Sequence, residues 1–91
     1  MKQSVTKIDE ELRAAARDLK VVLMEYKSEQ ADPDESATTY KVEPYSYRNG
    51  GKTFFGFDQT ARSIKAFKVA NIVNVKQTDE TYKPQWPVEL K

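Results

Sequence analysis

Apolar residues recur at spacings of three and four from Val5 through Ile8, Leu12 and Ala15 to Leu19, which predicts one amphipathic helix. Thr6 and Asp9 stand where a capping box would begin it, and Asp9, Glu10 and Glu11 suit the positive end of a helix dipole. The three alanines between Arg13 and Arg17 favour helix strongly. The stripe is narrow and alanine-rich, which suits a lid packed on a sheet better than a helix that docks a partner. At Lys20 the pattern changes, and Val21, Val22, Leu23, Met24 and Tyr26 read as a strand directly after the helix.

Ser28 to Ala37 has no periodicity, contains Pro33 and reads as an acidic surface loop. Thr, Tyr and Val then dominate from Thr38 to Tyr47, an extended segment in which Pro44 predicts an interruption or bulge. Asn49-Gly50-Gly51 tolerates the positive φ angles of a tight turn and marks a hairpin. The returning strand, Thr53 to Asp58, holds Phe54, Phe55 and Phe57, so at least one of these rings faces away from the others. Phe54, Phe57 and Phe67 are expected in the core, and Asp58 and Glu43 read as a turn aspartate and a surface glutamate. After a turn at Gln59–Arg62, two more strands are expected, Ser63 to Val69 and a short Ile72 to Lys76. In the first of these, Ile64, Ala66 and Val69 read as inward and Lys65 and Lys68 as outward. Thr78 to Lys91, with Pro84 and Pro87, reads as an extended tail that Tyr82 and Trp86 pin to the body. One helix followed by about five strands on short turns is an α+β pattern, with a small, strongly bent antiparallel sheet expected to close into a barrel.

Ninety-one residues make one domain with a small core. The chain has no cysteine, hence no disulfide or thiolate chemistry, and no histidine, which removes the commonest general base and metal ligand. No phosphate-binding glycine loop or spaced carboxylate pair is visible, so a non-enzymatic protein without metal or cofactor is expected. Apolar runs are too short to span a membrane and the amino terminus is charged, which makes the cytoplasm the expected location. The formal net charge of +1 conceals a polarity: from Lys41 to Lys76 seven bases face two acids. That excess suits either a solvated face or a site for phosphates.

Val42-Glu43-Pro44, the Gly50-Gly51 hairpin, Phe54-Phe55 and the run Ile64-Lys65-Ala66-Phe67-Lys68-Val69-Ala70-Asn71-Ile72 with Val75 resemble the WYL domain family. The family's last element reads R-x-F-R-L-D-R-I-x-x-V, and the spacing agrees here without a gap. Its apolar positions are kept. Its three arginines fall on Lys65, Lys68 and Asn71, its aspartate on Ala70, the arginine of its R-x-V-x-P element on Tyr40, and its W-Y-L strand on Thr53, Phe54 and Phe55. The resemblance implies a divergent, stand-alone member: a five-stranded Sm-like β-barrel behind an N-terminal helix over residues 1–80, with residues 81–91 as the tail. It also implies a bacterial or phage regulatory setting and ligand sensing through basic residues on the barrel.

Lys65, Lys68, Asn71, Tyr40, Arg48, Lys41 and Lys52 are the ligand-binding candidates. Basic residues interleaved with aromatics on a curved sheet can stack and hold single-stranded nucleic acid or a nucleotide-like anion. Lysine offers phosphate a point charge without the two-pronged geometry of arginine. Lys65 and Lys68 are three apart, so they converge only if the strand bends near Phe67. The alternative reading is a protein-interaction or assembly module that uses exposed edge strands and the tail.

Overall fold

The computed structural model describes residues 3–28 and 36–90. Most of the expected acidic loop, residues 29–35, lies outside the described residues. Helix α1 spans Val5–Arg17, and strands follow as β1 (Lys20–Tyr26), β2 (Thr38–Arg48), β3 (Thr53–Asp58), β4 (Ser63–Lys68) and β5 (Ile72–Thr81), with one turn of 3-10 helix at Val69–Asn71 between the last two. This is an α+β fold: one helix against a five-stranded antiparallel sheet of order β4-β3-β2-β1-β5.

Helix α1 starts two residues earlier than a Thr6 cap would place it. Ser4 is extended and its hydroxyl accepts the Lys7 N–H at 3.1 Å, satisfying one of the orphan donors of the first turn. Asp9 is thereby freed from capping. Its carboxylate accepts from Arg13 at 2.9 Å, one turn on, and from the Tyr47 hydroxyl of β2 at 2.7 Å. Ile8, Leu12, Ala15 and Ala16 are the buried face, while Val5 is exposed. The helix therefore lies on the sheet as a lid, packed on β5, β1 and β2.

Between β2 and β3, Asn49, Gly50 and Gly51 all take positive φ, as the turn chemistry predicts. Pro44 marks a bulge. Pro44 is opposite Gly56 and Ser46 is opposite Phe55, leaving Tyr45 as the extra residue on β2. A side chain at Gly56 would overlap Val42, so β3 runs close beneath β2 at this point. The bulge turns Tyr45 to the face opposite the main core, and its free carbonyl accepts the amides of Glu89 at 2.8 Å and Leu90 at 3.2 Å.

Those bonds change the picture of the tail. β5 continues to Thr81 rather than ending near Lys76, because edge pairing with β1 (Val22 opposite Gln77, Lys20 opposite Thr81) holds its polar end. The tail then crosses the sheet. The Tyr82 amide donates to the Leu19 carbonyl at 3.0 Å and its hydroxyl to the Pro44 carbonyl at 2.6 Å. Trp86 packs on Tyr45 and Phe57, and Leu90, 2 % exposed, enters the main core with Ile8, Leu12, Phe54 and Ile72. Val42 to Ser46 are all buried, covered by the core on one side and the tail on the other. Glu43 is consequently buried, not on the surface, and its carboxylate accepts from Tyr45 and Gln59. Phe57 lies half-buried in the smaller cluster of Val21, Tyr45 and Tyr82 rather than in the main core.

The orientation of β4 is the reverse of the expected one. Phe67 is buried against Phe54, Tyr26 and Tyr40, which fixes Lys65 on the inner face and turns Ile64, Ala66 and Lys68 outward. Nor does the strand pairing close into a barrel: β4 and β5 are the two margins of the sheet. A side chain stands where closure would bring them together. The Tyr26 ring, at the end of β1, meets Phe67 at 5.2 Å, and its hydroxyl accepts the Lys68 N–H at 3.0 Å.

Candidate ligand site

The seven sequence-predicted residues do not form one patch. Three of the bases are matched by acids, two of them distant in sequence. Lys41 meets Glu80 of β5 at 2.8 Å, and Arg48 straddles the Glu89 carboxylate at 3.2 and 3.3 Å while also donating to the Tyr47 carbonyl. Lys65 meets Asp58 at 3.0 Å and lies 5.1 Å from the centre of the Tyr40 ring. Tyr40 is edge-on to Tyr26 and Phe67 and packs on the core. Asn71 ends the 3-10 turn, where its carbonyl accepts the Lys27 N–H. Lys65 and Lys68 diverge, as strict alternation along β4 requires.

Lys52 and Lys68 are brought together. Thr53 is the register partner of Lys68, and the Val69 N–H donates to the Lys52 carbonyl at 3.0 Å, so the hairpin loop and the 3-10 turn end side by side. They wall an open hollow of about 670 Å³, lined by Lys52 and Lys68 with Val5, Val69, Ala70 and Gly51. Its floor is apolar because the exposed first turn of α1 and the start of the 3-10 turn meet there. The glycine loop leaves its main chain without a covering side chain. A hollow with an apolar floor and two lysines in its lining can hold a planar apolar group and a phosphate together.

A second hollow, about 320 Å³, lies on the opposite face of the sheet between Tyr45, Phe55, Ile64 and Trp86, with the Arg48–Glu89 pair at its border. Ile64 was expected to face inward and Phe55 was expected only as one of three aromatics on its strand, so neither was a predicted lining residue. Their signal was the adjacent Phe54-Phe55 pair, which must point to opposite faces of one strand.

The Asp58 carboxylate is perturbed downward. Burial alone would raise it, but the Lys65 ammonium and the amides of Thr60 and Ala61, at 3.0 and 3.3 Å, outweigh that and hold it below the usual carboxylate range. A carboxylate with a depressed folded-state value adds stability above its unfolded value, near pH 3.9, and loses it as pH falls through the folded value. Asp58→Asn, which keeps the turn acceptor but removes the charge, is therefore expected to cost about 1 kcal/mol at pH 7, the half-exposed Lys65 limiting the effect. Denaturant titrations at pH 7 and near pH 3 check this. The gap between wild type and variant must narrow in acid, and a constant gap would show that the charge contributes nothing. Tyr47 and Tyr82 move the other way: burial raises both, helped by Asp9 for Tyr47 and by Tyr45 and Glu43 for Tyr82, so both remain hydrogen-bond donors.

Among the described residues, no group of three or more His, Cys, Asp or Glu is placed to hold a metal ion, and every buried side-chain nitrogen or oxygen has a partner. None of the helices there is long and apolar enough to cross a membrane.

No protein-family model matches this sequence, and no curated protein matches it. Among solved structures, the fold is similar to part of proteasome accessory factor B/C (PafBC) of Arthrobacter aurescens, with a TM-score of 0.73 and 14 % identity. The likeness covers 99 % of this chain and 15 % of that one.

Proposed function

We propose that this chain is a WYL-like, non-enzymatic binding module for a nucleotide-like anion or short single-stranded nucleic acid, acting in the cytoplasm of a bacterium or in a phage regulatory pathway. Support for the family comes from the gap-free motif between Lys65 and Val75, and the fold shared with part of PafBC agrees with it. The strand order, with a 3-10 turn between β4 and β5, also suits an Sm-like small barrel, opened here at the Tyr26 seam. The observation that carries the binding reading is the hollow between Lys52 and Lys68. At the hollow, the loop main chain and two lysines meet an apolar floor.

Anisotropy of a labelled oligothymidylate tests this. Two phosphate contacts on a single strand give a slope of about −1.4 in log affinity against log salt, so affinity falls about sevenfold between 50 and 200 mM. Lys52→Glu with Lys68→Glu is expected to weaken binding at low salt by at least about tenfold, whereas Lys41→Glu changes it by less than about threefold. Equal losses from both substitutions, or no binding at low salt, would contradict the proposal.

A further inference from the structure

Edge strands expose a row of unpaired N–H and C=O groups, and this sheet has two edges. The β5 edge is covered at its start: the Gln3 N–H donates to the Val73 carbonyl at 2.9 Å, and the Gln3 side-chain oxygen accepts the Val75 N–H at 2.8 Å. The β4 edge is different. Val69 donates inward to Lys52, and Lys68 donates outward to the Tyr26 hydroxyl. Antiparallel ladders alternate these directions residue by residue, so the N–H and C=O groups of Ile64 and Ala66 point outward with that of Lys68. β4 pairs with β3 alone, and no described residue bonds Ile64 or Ala66 on that side.

We infer that the β4 edge at Ile64–Ala66 docks an extended, acidic segment of another protein as a sixth strand. Charge selects this occupant over a second copy. β4 contains Lys65 and Lys68 and no acid, and Arg62 precedes it. Two copies paired with Ile64 opposite Ala66 would set Lys65 against Lys65 and Arg62 against Lys68, and like charges directly opposite destabilise a ladder. A carboxylate opposite Lys65 has the favourable sign, though it shares that lysine with Asp58 at 3.0 Å. The outer face sets the other half of the pattern. Ile64 is 41 % exposed and Trp86 45 %, and with Phe55 they wall the 320 Å³ hollow. A side chain on an added strand stands about 4.8 Å from its neighbour, within reach of that hollow. The segment thus alternates apolar residues, beside Ile64 and Ala66, with acidic ones on the face of Lys65. This inference does not rest on the anion site.

The test is a titration of the ¹⁵N-labelled full chain with a blocked octapeptide of alternating valine and glutamate. Slower hydrogen exchange and shifts at the Ile64 and Ala66 amides are expected. Ala66→Pro removes one outward N–H without touching the β3 ladder, and Ile64→Glu replaces the apolar contact on an exposed side chain. Each is expected to weaken binding by about tenfold, and Lys52→Glu by less than about twofold, the tenfold change being about 1.4 kcal/mol. Unchanged amides at millimolar peptide, or undiminished binding by Ile64→Glu, would overturn the inference. So would protection of the same amides by self-association of the free protein, which would assign the edge to a second copy.

Discussion

Replacing Leu90 by alanine is expected to lower the free energy of unfolding by about 3 kcal/mol, the cost of emptying a fully packed leucine site. For a domain of this size, that is a fall in melting temperature of roughly 15 °C. The expectation is unusual for a residue so near the end of a chain, where backbone is commonly frayed. It follows from the path of the tail. Two amides bonded to the bulged Tyr45 carbonyl hold residues 89 and 90 against β2, and the Leu90 side chain joins Ile8 and Leu12 beneath the helix. Trp86→Ala supplies the contrast. Its ring packs on Tyr45 and Phe57 but Trp86 remains 45 % exposed, so its loss is expected to cost less than half as much. Thermal denaturation of both variants reads the difference. If Leu90→Ala unfolds within about 0.5 kcal/mol of wild type, the tail is an appendage and not part of the core.

Phe54→Ala is expected to be more damaging still, at about 4 kcal/mol. Phe54 is fully buried, stacks on Phe67 with ring centres 6.1 Å apart and meets Tyr47 edge-on at 6.2 Å. It is the contact through which β2, β3 and β4 share one core. Phe55, next in sequence, points to the other face and is half-buried beside the second hollow, so Phe55→Ala should cost about 1 kcal/mol. Equilibrium unfolding in urea of the two variants measures the face assignment of β3 directly. Costs within about 1 kcal/mol of each other would contradict it.

Features set by neighbours in sequence were legible. The three-and-four spacing of Ile8, Leu12 and Ala15, the Asn49-Gly50-Gly51 turn and the Pro44 bulge all appear where local chemistry puts them. Misreadings arose where two local options were nearly equal and distant contacts decided. Along β4, Ile64 and Ala66 offered as good an inward face as Phe67. The ring of Phe67 won because Phe54, Tyr26 and Tyr40 form an aromatic nest on that side. β5 was drawn too short because its last residues are polar, and only the backbone of β1 holds them in a strand. The candidate site suffered most. Lys41 and Arg48 were grouped by composition and Lys65 by the family resemblance, but Glu80 and Glu89 are 39 and 41 residues from the first two, and Asp58 reaches Lys65 only through the register of β3 and β4. Conversely, Lys52 and Lys68 became neighbours only through the register of β3 and β4.

The proposed anion binding sits at the Lys52–Lys68 hollow and not across the basic half of the chain as a whole. Amide shift mapping with a short oligothymidylate at low salt tests it most directly. The predicted result is a cluster of shifts at Gly51, Lys52, Thr53, Lys68 and Val69 that fades as salt is raised, with Lys41, Arg48 and Lys65 unmoved. Shifts spread evenly over the basic residues, or centred on Lys65 and Tyr40, would contradict it.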